Sequence, residues 1–107
     1  MTFSEYQEKA ISLLTVEKNL EAYLTLGLVG EAGEIAEKVK KIIRNEQGDF
    51  AKLNRDDIKR ELGDVLWYLS ALAQNLNIDL DDVATTNLNK LFDRKARGTI
   101  NSTGDYR

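Results

Sequence analysis

Histidine, cysteine and proline are all missing from this 107-residue chain. Without cysteine there is no disulfide framework, no thiol nucleophile and no thiolate metal site. Without histidine there is no Ser-His-Asp or Cys-His pair, no imidazole zinc ligand and no Glu-x-x-His di-iron motif. Any catalysis must rest on carboxylates, Lys, Arg, Tyr, Ser or Thr, with a hard cation as the natural helper. An excess of positive charge is lacking too: 18 Asp and Glu oppose 15 Lys and Arg, for a net charge of −3. A partner made of polymeric nucleic acid is therefore not expected, since such binders are normally basic. No uncharged apolar run approaches the ~20 residues of a membrane span. The start Met1-Thr2-Phe3-Ser4-Glu5 also lacks the basic opening and apolar core of a secretory signal. The expectation is a cytoplasmic protein with one domain over residues 1–107 and no membrane partner.

What is present reads as helix throughout. Thr2 followed by Glu5 has the form of a capping box, opening a helix that carries Tyr6, Ala10, Leu13 and Leu14. A second helix is expected from near Glu21 to about Arg44, with Leu24, Leu28, Ile35, Val39 and Ile42 at three- and four-residue steps. Asn45 to Asn54 is a polar loop around Gly48-Asp49. Asn54 caps a third helix with Asp56 and Asp57 in its first turn and the seam Ile58, Leu62, Val65, Leu69, Leu72 and Leu76. Leu66, Trp67 and Ala71 extend the apolar surface of that helix, marking it as central or as part of a subunit interface. Asp79 caps a fourth helix, Leu80 to about Ala96, which Gly98 ends, leaving an irregular tail over 99–107. The fold class is all-α, a four-helix bundle.

Carboxylates stand close to the apolar stripes of the second and third helices. Glu31 and Glu34 form Glu-x-x-Glu, and Glu61 and Asp64 form Glu-x-x-Asp, so each pair shares a helix face. On a wheel of ~100° per residue, Glu31 falls roughly 40° and Glu34 roughly 100° from the centre of the second-helix stripe. Glu61 lies roughly 60° and Asp64 roughly 120° from the third-helix seam, on the same rotational side. A loop of about ten residues suits an antiparallel hairpin, in which those flanks face each other at matching heights. Four partly buried negative charges repel one another and lose hydration unless something compensates. A divalent cation is the simplest compensation, and an all-oxygen set favours Mg2+ or Mn2+ over zinc. The alternative is that Lys38, Lys40, Lys41, Lys59 or Arg60 supplies ion pairs. Gly27, Gly30, Gly33 and Gly63 cluster around the acidic pairs, which points to a close approach of backbone or ligand, or to tight helix packing.

The charge balance reverses near the C-terminus. Lys90, Arg94, Lys95, Arg97 and Arg107 oppose only Asp93 and Asp105 from Leu88 onward. Lys90, Arg94 and Arg97 share a helix face, with Asn87 one step before them. They either complement the helix dipole or form a phosphate clamp facing the metal site.

These residues in this order resemble the MazG-like branch of the all-α nucleoside triphosphate pyrophosphatase superfamily. The matching pieces are Gly30-Glu31-Ala32-Gly33-Glu34, then Glu61-Leu62-Gly63-Asp64-Val65-Leu66-Trp67-Tyr68 and Asn87-x-x-Lys90-Leu91-x-x-Arg94. The ending Gly104-Asp105-Tyr106-Arg107 is similar to the family's Gly-Asp-Asn-Arg, with Tyr in place of Asn. The resemblance implies hydrolysis of a nucleoside triphosphate between its α- and β-phosphates, in cleaning of the nucleotide pool. It implies Mg2+, with Mn2+ as substitute, on Glu31, Glu34, Glu61 and Asp64. A carboxylate not fully used by the ion can accept the proton of the attacking water, and Glu34 is the choice for that role; Glu61 is the second catalytic candidate, whose replacement by Gln should abolish turnover. Lys90 and Arg94 are implied for the substrate phosphates, with Asn87 as a polar contact, and Arg97 joins them through the helix face they share. Members usually form homodimers or homotetramers with sites near subunit interfaces.

Trp67 and Tyr68 have two readings, a base-stacking surface or a core and interface role. The competing functional class is a non-catalytic helical dimerisation or regulatory module whose acidic cluster holds a structural cation or a basic partner.

Overall fold

A computed structural model describes residues 1–98. Its helices are α1 (Phe3–Ile11), α2 (Leu20–Asn45), α3 (Arg55–Asn75) and α4 (Leu80–Ala96), and no strand occurs among the described residues. The expected all-α fold with four helices is thus observed. The readings placed on the tail 99–107 lie outside the described residues.

Local hydrogen bonds start three of the helices. Thr2 Oγ1 accepts from the Glu5 amide at 3.0 Å while Glu5 Oε1 accepts from the Thr2 amide, completing the capping box. Asn54 Oδ1 accepts from the Asp57 amide at 3.1 Å, and Asp79 Oδ1 from the Asp81 amide at 2.9 Å. A short 3₁₀ turn, Phe50–Lys52, interrupts the loop that reads as irregular from sequence. Asp49 caps it through the Ala51 amide.

The dominant packing is α2 on α3. Tyr23 meets Tyr68, Gly27 lies under the same ring, and Lys38 meets Asp57, so the contacts climb α2 while descending α3. The two helices are antiparallel. α1 lies on α3, and α4 leans on α1 and α3 while staying clear of α2. Gln7, buried on α1, joins three of these pieces. Its Nε2 donates to the carbonyls of Ser70 (3.3 Å) and Ile78 (2.9 Å), and its Oε1 accepts from the Leu80 amide at 3.0 Å.

Four apolar positions depart from expectation. α1 stops at Ile11, so Leu13 and Leu14 lie beyond it, and Leu13 is 70% exposed. On α3, Leu62 is 54% exposed, and Leu76, just past its end, is 49% exposed, whereas Ser70, Ala71 and Ala73 are buried. Small side chains let the neighbouring helices approach toward the C-terminal end of α3, and Leu62 and Leu76 fall partly outside that contact.

Candidate metal centre

The antiparallel α2–α3 register decides which carboxylates meet. Glu31 from α2 and Glu61 with Asp64 from α3 each offer an oxygen, and these atoms all lie within 4.8 Å of one another. Glu31 and Glu61 are half-buried; Asp64 is exposed. Glu34, one turn along α2, is exposed and stands outside this group. It is still close enough to act on Glu31. Partial burial raises the Glu31 carboxyl above the ordinary glutamate range, and the charges of Asp64, Glu61 and Glu34 raise it further. A site that resists its own ionisation, built from oxygen donors alone, fits a hard divalent cation.

One of the five candidate cations does reach the cluster. The Lys38 ammonium contacts Asp57 and lies 3.4 Å from Glu61 Oε1. Its hydrogen bond to Asp57 is the chief reason Lys38 is held above the usual lysine range, and the same bond lowers Asp57. Lys40 pairs instead with Glu37 on its own helix, at 2.6 Å. The ion pairs of Lys38 and Lys40 leave Glu31 and Asp64 aside. Lys38 is among the cations expected to supply ion pairs, whereas the role of Asp57 as its anchor escaped the sequence reading, although two spacings pointed to the pair. Lys38 follows Glu34 by four residues and Asp57 precedes Glu61 by four, each one turn along the same face.

Tyrosines border the carboxylates. A hydrogen bond with Tyr23 raises the Tyr68 hydroxyl above the usual range, followed by burial and the charges of Tyr23, Glu31 and Asp64. Tyr6 of α1 is raised by burial and by Asp64. Trp67 donates its indole N–H to the Ala10 carbonyl at 3.1 Å and packs edge-on against Tyr68. That bond ties α1 to α3, which is the core role among the two readings of Trp67. Of the four helical glycines, only Gly27 meets a neighbour within 4 Å of where a β-carbon would stand; Gly30, Gly33 and Gly63 meet none among the described residues.

The basic residues of the C-terminal helix lie elsewhere. Asn87 and Lys90 line a shallow hollow of about 390 Å³ with Ile78, Asp82, Val83 and Thr86, none of them a cluster carboxylate. Arg94 is buried at 3% exposure, and Arg97 Nε pairs with Asp93 at 2.8 Å on the same helix. Within one chain, α4 does not bring Asn87, Lys90, Arg94 and Arg97 onto α2.

No helix among the described residues is long and apolar enough to cross a membrane. Comparison with known proteins adds three findings. The chain is 56% identical over 86 residues to the Gene 37 protein of Mycobacterium phage L5, covering 80% of this chain and 75% of that protein. No solved structure matches. The model of the MazG nucleotide pyrophosphohydrolase domain matches residues 19–98, which contain α2, α3, α4 and every carboxylate of the cluster. The chain therefore belongs to the MazG nucleotide pyrophosphohydrolase family, within the all-α nucleoside triphosphate pyrophosphatase superfamily.

Proposed function

We propose that the chain cleaves nucleoside triphosphates, deoxynucleotides or non-standard nucleotides, between the α- and β-phosphates, as one domain over residues 1–107. The observation that carries this reading is the convergence of Glu31, Glu61 and Asp64 within 4.8 Å in a member of this family. Those three residues would hold Mg2+, or Mn2+ in its place, with Glu34 at the open rim. When bound, the ion supplies neutralisation of the triphosphate oxygens and of the pyrophosphate leaving group. Glu34, exposed on the next turn of α2, would accept a proton from the attacking water. Glu61, fixed on its flank by Lys38, orients the reacting end. Asn87 and Lys90 take the phosphates, joined by Arg97 after it leaves Asp93 and by Arg94 only once it turns out of its buried position.

The separation of α4 from α2 within one chain supports a site completed by a second copy. Exposed apolar residues support the same assembly: Leu26 is 72%, Val29 66% and Leu62 54% exposed, on the two helices that carry the carboxylates. A homodimer or homotetramer covers them. We place the work in the cytoplasm, in clearing the nucleotide pool, without polymeric nucleic acid or membrane as partner.

The test is product analysis in isotopically labelled water. Monophosphate and pyrophosphate as the only products support cleavage between the α- and β-phosphates. Diphosphate with inorganic phosphate would contradict it.

A further inference from the structure

Two lines of charge face each other across the α2–α3 seam. On α2, Lys38 follows Glu31 by seven residues, about two helical turns. On α3, Asp57, Glu61 and Asp64 follow one another at steps of four and three, on one face. The antiparallel packing sets Glu31 beside Asp64 and Lys38 beside Asp57, with Glu61 between the two ends. Glu61 therefore belongs to both: it joins the three-carboxylate group and also stands 3.4 Å from the Lys38 ammonium. The side chains of Lys38 and Glu61 are only 27% and 17% exposed, so neither is a loose surface charge.

We propose that Lys38 is a positioning residue: a resident cation, anchored by Asp57, that fixes Glu61 and confines a divalent ion to the Glu31–Glu61–Asp64 end. The inference rests on the cation site of the proposed function and deepens it. Without an anchor, a lysine between carboxylates would swing toward the most negative point, which is the three-carboxylate group itself, and would compete with the ion there. Asp57 removes that option by holding the ammonium one turn away. Without Lys38, in turn, Asp57 and Glu61 would form a second acidic pair one turn from the first. The ion would then have two places to sit, and Glu61 would be free to face either.

The two halves of the bridge carry opposite signs, which separates this role from a merely structural one. Lys38→Met removes a positive charge beside the site and should bind Mn2+ about fivefold tighter, while kcat falls about tenfold and KM stays near wild type. Asp57→Asn releases the ammonium toward the three carboxylates and should bind Mn2+ about fivefold weaker. Lys38→Arg keeps the charge and should return Mn2+ affinity to the wild-type value. The experiment is calorimetric titration of Mn2+ into the metal-free full chain and the three variants, with helicity checked by circular dichroism. Steady-state rates on a triphosphate are measured alongside. Unchanged Mn2+ affinity in Lys38→Met, a shift of the same sign in Lys38→Met and Asp57→Asn, or no Mn2+ binding by the wild type would each overturn the proposal. A Lys38→Met chain that fails to fold leaves the decision to Asp57→Asn, whose weaker binding supports it and whose unchanged binding overturns it. A wild type that binds Mn2+ yet turns over no triphosphate defeats the pyrophosphohydrolase reading alone, and the opposed affinity shifts would still support the role of Lys38.

Discussion

The ring of Tyr68 lies directly on the backbone of Gly27: a β-carbon at position 27 would stand 2.1 Å from Cε1. No real side chain tolerates that distance, so α2 and α3 touch here because residue 27 has none. The ring has little room to retreat. The ring centroid of Tyr23 lies 6.2 Å away, and Trp67 packs edge-on at 5.0 Å. Gly27→Ala should therefore destabilise the protein by about 1–2 kcal/mol despite the better helix propensity of alanine. In a Tyr68→Leu background the same change should be neutral or stabilising. Urea denaturation of the four proteins in this double-mutant cycle reads the coupling, and purely additive effects would remove the contact from the account.

Gln7 makes a second joint testable by its loss. It is 4% exposed and satisfies groups at the end of α3, in the α3–α4 turn and at the start of α4. Gln7→Leu leaves the Ile78 carbonyl and Leu80 amide without that partner and should cost about 2–3 kcal/mol. Amide exchange in the first turn of α4 should quicken. A loss below about 1 kcal/mol would show that these groups find other partners.

The capping residues and the acidic group differ in how openly the sequence displays them. Thr2, Asn54 and Asp79 act on amides two or three residues away, so their neighbours alone reveal them. The placement of Glu31 beside Glu61 and Asp64 is long-range, yet legible, because helical periodicity and an antiparallel hairpin leave one register that buries both stripes. The exclusion of Glu34 is not marked in the wheel angles, since the exposed Asp64, set further round its own helix, is inside the group. Gln7 is hidden for a different reason: its burial depends on three backbone groups far along the chain, and a polar residue on a short helix carries no mark of that. Which of five nearby cations meets Glu61 depends on side-chain reach across the seam, a detail that spacing narrows to Lys38 only once Asp57 is known to be its anchor.

Glu31 gives the cluster a pH signature. Its folded-state pKa is raised, so the folded chain holds that proton more tightly than the unfolded chain. The resulting destabilisation is present at neutral pH and disappears as pH falls through the raised value toward the ordinary glutamate range. Glu31→Gln should therefore be more stable than wild type in chelator at neutral pH, with the gap closing on acidification. Saturating Mg2+ should reverse the order, because only the intact site gains stability from the ion. Thermal melts at two pH values, with and without Mg2+, check this; a Glu31→Gln protein less stable than wild type in chelator would contradict it.

A site shared between copies predicts complementation. Glu61→Gln damages the carboxylate group and Lys90→Ala the phosphate side, so each protein alone should be inactive. If α4 of one copy serves the carboxylates of another, mixing equal amounts after unfolding and refolding should restore about a quarter of wild-type activity through randomly paired copies. A mixture as inactive as its parts would place both halves of the site on one chain.

The central claim is that the carboxylates of α2 and α3 hold a divalent cation for pyrophosphohydrolysis. Its most direct test is pyrophosphate release from a panel of ribo- and deoxynucleoside triphosphates, with and without Mg2+, by wild type and Glu61→Gln. The account predicts Mg2+-dependent release by the wild type and at least a ~100-fold loss in a folded Glu61→Gln protein. Release at the wild-type rate from Glu61→Gln, or release indifferent to Mg2+, would contradict it.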